Sequence, residues 1–268
     1  MSDFLRQMAA ASAARAETLQ SGFPASQLDR PVRPLVLDRF DLIAEIKRLS
    51  PAAGALAPAD EDRASRARQY TEGGAAAISV LTEPSRFGGA LEHLQDVAAA
   101  ADVPVMRKDF LVDVRQVEEA RAAGASGVLL ILALLDDAAL RGMLDCAFEL
   151  SMFVLLECFD ENEVKRASRL VEHGSMAAHA SQGRLLVGVN SRDLRTLGLD
   201  AGRLRSLAPL LPAAAVTVAE SGLSEASDAA QAAGLGYRMA LVGTALMRAD
   251  DPARLIRGML RAGRERLS

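Results

Sequence analysis

Short apolar runs recur along the chain, and they keep ending on a charged or amide side chain. Leu42-Ile43-Ala44-Glu45-Ile46 runs into Lys47, and Val103-Pro104-Val105-Met106 runs into Arg107-Lys108. Phe153-Val154-Leu155-Leu156 ends on Glu157, Leu185-Leu186-Val187-Gly188-Val189 on Asn190, and Val216-Thr217-Val218-Ala219 on Glu220. A strand that is apolar along its length and polar at its C-terminal tip belongs to a parallel sheet buried on both faces, where ligands sit at the C-terminal edge. The pattern predicts strands near 42–47, 76–81, 103–107, 127–131, 152–157, 185–190, 215–220 and 238–243. Helical spacing with Ala, Arg, Glu and Leu content predicts helices over 60–72, 90–100, 114–123, 136–149, 160–172, 200–208, 224–233 and 252–264. Asp136-Asp137, Asp160-Glu161 and Ser224-Glu225 are cap or first-turn signals. Gly73-Gly74, Gly124 and Gly234 end helices just before the next strand. Eight βα units in series are the sequence form of an α/β (β/α)8 TIM barrel. The competing doubly wound sheet usually has a glycine-rich first βα turn, and no GxGxxG occurs here.

The first strand begins only after residues 1–41, which read as an N-terminal extension. They hold one helix, about 3–20, and a linker marked by Pro24, Pro31 and Pro34. The helix either closes the N-terminal end of the barrel or leans over the site. Residues 42–268 form the catalytic barrel, in a chain of 268 residues, where about 250 suffice for such a barrel. Trp is absent, so the core is aliphatic. A net charge of −4 and the lack of a Lys/Arg block argue against a nucleic-acid partner. Cys146 and Cys158 form no CxxC, which argues against a disulfide framework and for a reducing cytoplasm. No apolar stretch reaches the roughly 18 residues of a membrane span, and the N-terminus lacks the apolar segment of a signal peptide.

Two kinds of chemistry are encoded at the strand tips. The first is anion binding. Barrels often hold phosphate with the loops after strands seven and eight and a short helix N-terminus. Here those loops read Glu220-Ser221-Gly222 and Val242-Gly243-Thr244-Ala245-Leu246-Met247, and Ser50 after strand one adds a hydroxyl. Read more plainly, the glycines are ordinary turn residues. The second is acid–base chemistry. Lys47, Lys108, Glu157 and Glu220 all fall at strand tips, with Glu45 close by. They read either as structural ion pairs or as a catalytic cluster. Opposed charges around one pocket push each other's pKa values apart, as acid–base catalysis requires, and spacing does not say which is acid and which is base. Asn190-Ser191-Arg192-Asp193 offers an amide and a guanidinium suited to a carboxylate or phosphate. Phe87-Gly88-Gly89 and Phe110 either line an apolar pocket or anchor loops. His93, His173 and His179 have no metal-ligand spacing and read as surface residues, and Cys158 reads as packing. No metal is expected.

Six motifs in register resemble the indole-3-glycerol phosphate synthase family. They are Ala44-Glu45-Ile46-Lys47-Arg48-x-Ser50-Pro51; Ser79-Val80-Leu81-Thr82-Glu83-Pro84 with Phe87-Gly88-Gly89; Pro104-Val105-Met106-Arg107-Lys108-Asp109-Phe110; Val189-Asn190-Ser191-Arg192-Asp193-Leu194; Ala219-Glu220-Ser221-Gly222; and Val242 through Arg248. The resemblance spans about residues 40 to 250. It implies ring closure of 1-(2-carboxyphenylamino)-1-deoxyribulose 5-phosphate, with loss of CO2 and water, to indole-3-glycerol phosphate in tryptophan biosynthesis. It implies no cofactor, no metal, no membrane and no nucleic acid. The expected partner is the phosphorylated small molecule alone, met by a cytoplasmic monomer or weak homo-oligomer.

By position the resemblance makes Lys108 the general acid, Glu157 the general base, and Lys47 a carboxylate-binding residue that assists proton transfer. It has Glu45, Asn190, Arg192, Glu220 and Ser221 hold polar groups and tune the lysines. Ser50, Gly222, Gly243 and Thr244 become the phosphate cradle. Pro51, Phe87, Phe110, Leu129, Ile131, Leu194 and Leu197 enclose the anthranilate ring. The chain departs from the family pattern in the first loop, where Ala52-Ala53 replace a hydroxyl and a frequent lysine. Extra residues fall around His173 to Gly183, expected on the N-terminal face. The tryptophan some members place near the substrate is missing. Another phosphate-binding barrel enzyme would share the cradle without needing Lys47, Lys108 and Glu157 together, and a non-catalytic relative would be expected to lose some of these positions.

Overall fold

The computed structural model describes residues 2–19, 22–58, 60–194 and 198–267. Eight parallel strands close on themselves in chain order: β1 (Asp41–Ile46), β2 (Ala77–Leu81), β3 (Val105–Lys108), β4 (Gly127–Ile131), β5 (Phe153–Cys158), β6 (Leu185–Asn190), β7 (Val216–Glu220) and β8 (Met239–Val242). Asp41 opposite Met239 and Ala44 opposite Val242 seal β8 to β1. Each strand lies within two residues of its expected position. β3 starts late, after Pro104, which has no N–H to donate, and then continues through Lys108. The expected helix at 200–208 is an α-turn over Arg203–Leu207 tightening to a 3-10 turn at Ala208–Leu210, where Pro209 intervenes.

Strand periodicity sorts the side chains. Ile43, Met106, Leu129, Leu155, Leu186, Val218 and Leu241 pack together inside the barrel. Leu42, Val105, Val128, Val154, Val187 and Ala219 pack outward under the helices. Continuing inward-facing positions to the C-terminal ends brings Lys108 and Glu157 into the barrel mouth. Arg107 and Cys158, one residue out of phase, face the helices. This is why Cys158 is packing, its thiol pushed well above its ordinary range by burial.

Different parts of the extension cover the two ends of the barrel. The N-terminal helix α1 (Asp3–Glu17), shorter than the expected 3–20, leans over the mouth. Its Leu5 and Met8 join the interior cluster, and Phe4 meets Phe110 edge-on at 6.0 Å between ring centroids. The linker crosses the opposite end. Leu35 and Leu37 pack against the interior, the Arg33 N–H donates to Ser126 Oγ at 3.2 Å, and Arg238 donates to the Arg39 carbonyl at 2.7 Å. The extra residues before β6 form a helix, Gly174–Ser181, on the N-terminal side. Of the three histidines expected on the surface, only His173 is exposed. His93 and His179 are half-buried, and the His179 ring stacks on Phe148 at 3.7 Å. The flat imidazole covers an aromatic face there, so exposure is lost without any ligand being involved.

Candidate active site

The inward-pointing strand tips and the loops beyond them enclose a cavity of about 500 Å³ at the barrel mouth. Its wall includes Glu45, Lys47, Ser50, Pro51, Phe87, Lys108, Phe110, Leu129, Ile131, Glu157, Asn190, Arg192, Leu194, Glu220, Ser221, Gly222, Gly243 and Thr244. Every site residue expected from the sequence is thus in one place, except Leu197, which lies outside the described residues. None of the three histidines lines it. Among the described residues no group of three or more His, Cys, Asp or Glu is arranged to hold a metal ion.

Lys108 stands at the centre. Its Nζ lies 3.0 Å from Glu157 Oε2 and 3.8 Å from Glu220 Oε2, and both glutamates are almost wholly buried. Burial alone would lower the lysine, but Glu157, Glu220 and Glu45 together hold it above the ordinary range, so it stays protonated at neutral pH. Glu220 shows the opposite balance. Burial, then the neighbouring Glu157 charge, push it well above the usual carboxylate range, with Lys108 opposing. Glu157 Oε1 and both Glu220 oxygens are buried without a hydrogen-bond donor among the described residues.

Glycines make room for this cluster. A Cβ on Gly188 of β6 would collide with the Glu220 carboxylate, and one on Gly243 would collide with the Glu45 carboxylate and stand 3.0 Å from Lys47 Nζ. Glu45 and Lys47 pair at 2.5 Å. Burial would raise Glu45, yet Lys47, Lys108 and Arg192 overcome it and keep the carboxyl below its usual range. The β6 tip is braced from behind, because Asn190 Oδ1 accepts from the Arg192 N–H at 2.9 Å. Arg203 donates to the Asn190 carbonyl at 3.2 Å and to Asp193 at 3.1 Å.

Just past the strand tips the material changes. Ser221 (φ 65°) and Gly222 (φ 80°) place two successive residues in the left-handed region just past β7. For Ser221 this conformation costs about 1–3 kcal/mol, a strain usually kept where a site needs it. Gly243 opens the short helix Thr244–Arg248 past β8. Ser50 lies in a small hairpin after β1, Leu49–Ser50 against Gly54–Ala55, tied to the helix after the neighbouring β8 by the Arg248 guanidinium donating to the Ala53 carbonyl at 3.2 Å.

Sequence reasoning missed several wall residues. Leu81 and Leu241 sit at inward strand positions, and Asp109 and Arg248 lay inside motifs but were given no role. Glu83 was also missed. Its carboxylate accepts from the N–H groups of Ser85, Arg86 and Phe87 and so sets Phe87 beside Phe110, ring centroids 6.1 Å apart. An acidic residue before Pro at a helix start was the available signal.

Comparisons with known proteins agree with this geometry. A family model described as "Indole-3-glycerol phosphate synthase" matches residues 6–259. Curated relatives of that name include one from Nocardioides sp., 49% identical over 218 residues, which covers 81% of this chain and 79% of the relative. Another, from Parafrankia sp., is 45% identical over 84% of this chain and 79% of the relative. Among solved structures, 3-hexulose-6-phosphate synthase from Salmonella typhimurium superposes with a TM-score of 0.62 at 16% identity, covering 85% of this chain and 100% of that one, a likeness of fold alone. With its barrel mouth and its relatives in agreement, the chain belongs to the indole-3-glycerol phosphate synthase family, a carboxy-lyase of tryptophan biosynthesis.

Proposed function

We propose the following division of labour for the synthase reaction, in which 1-(2-carboxyphenylamino)-1-deoxyribulose 5-phosphate closes its ring and loses CO2 and water. Lys108 is the general acid. As the carboxylate-bearing ring carbon attacks the ketone carbon, the Lys108 ammonium gives its proton to the ketone oxygen. A lysine held protonated by two buried carboxyl groups is always loaded for this step, and the carboxylates also limit how far it acidifies. Glu157 is the general base for the later dehydration. It touches Lys108 directly, so proton return is short. Glu220, pushed up by burial and by the neighbouring Glu157 charge, faces the same lysine from β7.

Ser50, Gly222, Gly243 and Thr244 cradle the phosphate, with backbone groups at close-approach glycines and two hydroxyls as donors. Lys47, beside Gly243, grips the substrate carboxylate and assists proton transfer, with Arg192 as a second cation. Glu45, Asn190 and Ser221 orient polar groups. Pro51, Phe87, Phe110, Leu129, Ile131 and Leu194, with Leu197, enclose the anthranilate ring. Protein and substrate are both anionic, so attraction is local to Lys47, Lys108 and Arg192, because screening at physiological salt acts beyond about 8 Å. The chemistry resides in residues 42–268, and residues 1–41 are an extension of that domain. The enzyme acts without a cofactor, in the cytoplasm, as a monomer or weak homo-oligomer.

The observation that carries this reading is Lys108 Nζ at 3.0 Å from Glu157 inside a cavity also lined by the glycine turns after β7 and β8. The test is fluorescence-detected indole formation when purified protein meets the carboxyphenylamino substrate. Lys108→Ala is expected to lower turnover at least about a hundredfold, the scale of a positioned acid, while substrate still binds. Near-wild-type turnover in that variant overturns the assignment.

A further inference from the structure

Asp109 follows the proposed acid by one residue, and its carboxylate is among the most fully bonded groups in the molecule. It is 2% exposed. Oδ1 accepts from Arg15 Nη2 at 2.7 Å and from the Phe110 N–H at 2.8 Å. Oδ2 accepts from Thr82 Oγ1 at 2.8 Å and from Arg107 Nη2 at 3.2 Å. These donors come from α1, from the loop after β3, from just past the end of β2, and from β3 itself. Arg107 is held in its turn. Its Nη1 donates to Glu119 at 2.6 Å and to the Gln116 carbonyl at 3.2 Å, and its Nε donates to Thr82 Oγ1 at 3.1 Å.

A second stitch lies beside the first. Gln116 Nε2 donates to Ser12 Oγ at 2.9 Å and to the Ser12 carbonyl at 3.2 Å, while its Oε1 accepts from the N–H groups of Val112 and Asp113. The helix leaning over the mouth is therefore fastened at two points, to the loop after β3 through Arg15 on Asp109 and to the helix that follows that loop, Val114–Ala122, through Ser12 on Gln116. The same helix carries Phe4, whose ring meets Phe110.

A carboxylate with four donors has no free lone-pair direction for a reacting proton. It acts through its neighbours, Lys108 on one side and Phe110 on the other. A buried ion pair adds little stability over apolar packing, but it fixes geometry where several elements must agree. We propose that Asp109 is a positioning residue that, pinned by Arg15 of the N-terminal helix, sets the Lys108–Phe110 tip of β3 and locks Phe4 over the ring-binding end of the cavity. This rests on the reading of Lys108 as the acid.

The test compares Arg15→Met, Asp109→Asn, their double variant and Arg15→Lys in steady-state indole formation, each at a temperature where thermal melts show it folded. Arg15 is 30% exposed, so its replacement leaves the core intact, and it decides the matter even where Asp109→Asn fails to fold. Arg15→Met is expected to lower kcat about tenfold, within the range a small misplacement costs, with KM changed by less. Arg15→Lys should restore most of that loss. The double variant should be no slower than Asp109→Asn alone, because both break one linkage. Wild-type kcat in Arg15→Met, no rescue by lysine, or losses that multiply independently overturn the proposal. Lys108→Ala is measured in parallel. If it retains turnover, the acid assignment has failed; if it is inactive while Arg15→Met is normal, only the positioning role has failed.

Discussion

At the strand tips, β3, β5 and β7 present Lys108, Glu157 and Glu220, with Lys108 held above its ordinary range by its carboxylate neighbours and Glu220 pushed up by burial. Beyond the tips, the turns after β1, β7 and β8 present Ser50, Gly222, Gly243 and Thr244, which carry no charge at all. On the proposed roles, the difference follows from two tasks. Moving a proton requires groups whose affinity for it is set in advance, and that needs desolvation and close charged neighbours. Holding a phosphate requires several dipoles at short range, and glycine lets the backbone supply them. Glu45 and Lys47 sit at the seam, the carboxylate in contact with the space a Gly243 side chain would fill.

The comparison breaks most readily on the charged side. Glu157→Gln keeps the shape and removes the base, so kcat should fall about a thousandfold, within the usual range for a positioned base, with little change in KM. Unchanged turnover would move the base elsewhere. On the neutral side, Gly243→Ala places a methyl group against the Glu45 carboxylate, and the expected result is at least a tenfold loss in kcat/KM, a scale typical of misplaced site groups. Most of it should appear in KM if the cradle is the part that shifts, and a loss wholly in kcat would mean that the seam belongs with the acid. Ser50→Ala removes one hydroxyl, worth about 1 kcal/mol, so KM should rise about fivefold with kcat intact. At the far end of the barrel, Val36 is 74% exposed, and Val36→Ser should leave both constants unchanged and stability within about 0.5 kcal/mol.

The neutral and charged sides also differed in how far they could be read from sequence. Polar tips on apolar strands are a local pattern, so the barrel and the ring of Lys108, Glu157, Asn190 and Glu220 were legible without any contact information. Arg107 stands beside Lys108 with the same charge, and only strand phase tells that one turns out to Glu119 and the other in to Glu157. In the sequence Gly188 is one more residue of an apolar run. Its reason, clearance for Glu220, exists only once β6 and β7 are paired. The placement of α1 was left between two ends of the barrel because its contacts, Phe4 on Phe110 and Arg15 on Asp109, join residues roughly a hundred apart in sequence. No tryptophan stands near the mouth, and from α1 it is Phe4 that meets Phe110 there.

The claim on which the rest depends is that Lys108 is a permanently loaded acid, protonated because two buried carboxyl groups face it. Its most direct measurement is an NMR titration of the lysine side chains, with Lys108 assigned by its absence in Lys108→Arg. The Lys108 ammonium should persist past the ordinary lysine value of 10.5, and in Glu157→Gln, where burial loses part of its opposition, it should titrate at lower pH than in the parent enzyme. A Lys108 that loses its proton below 10.5 in the parent, or that does not respond to Glu157→Gln, would contradict the claim.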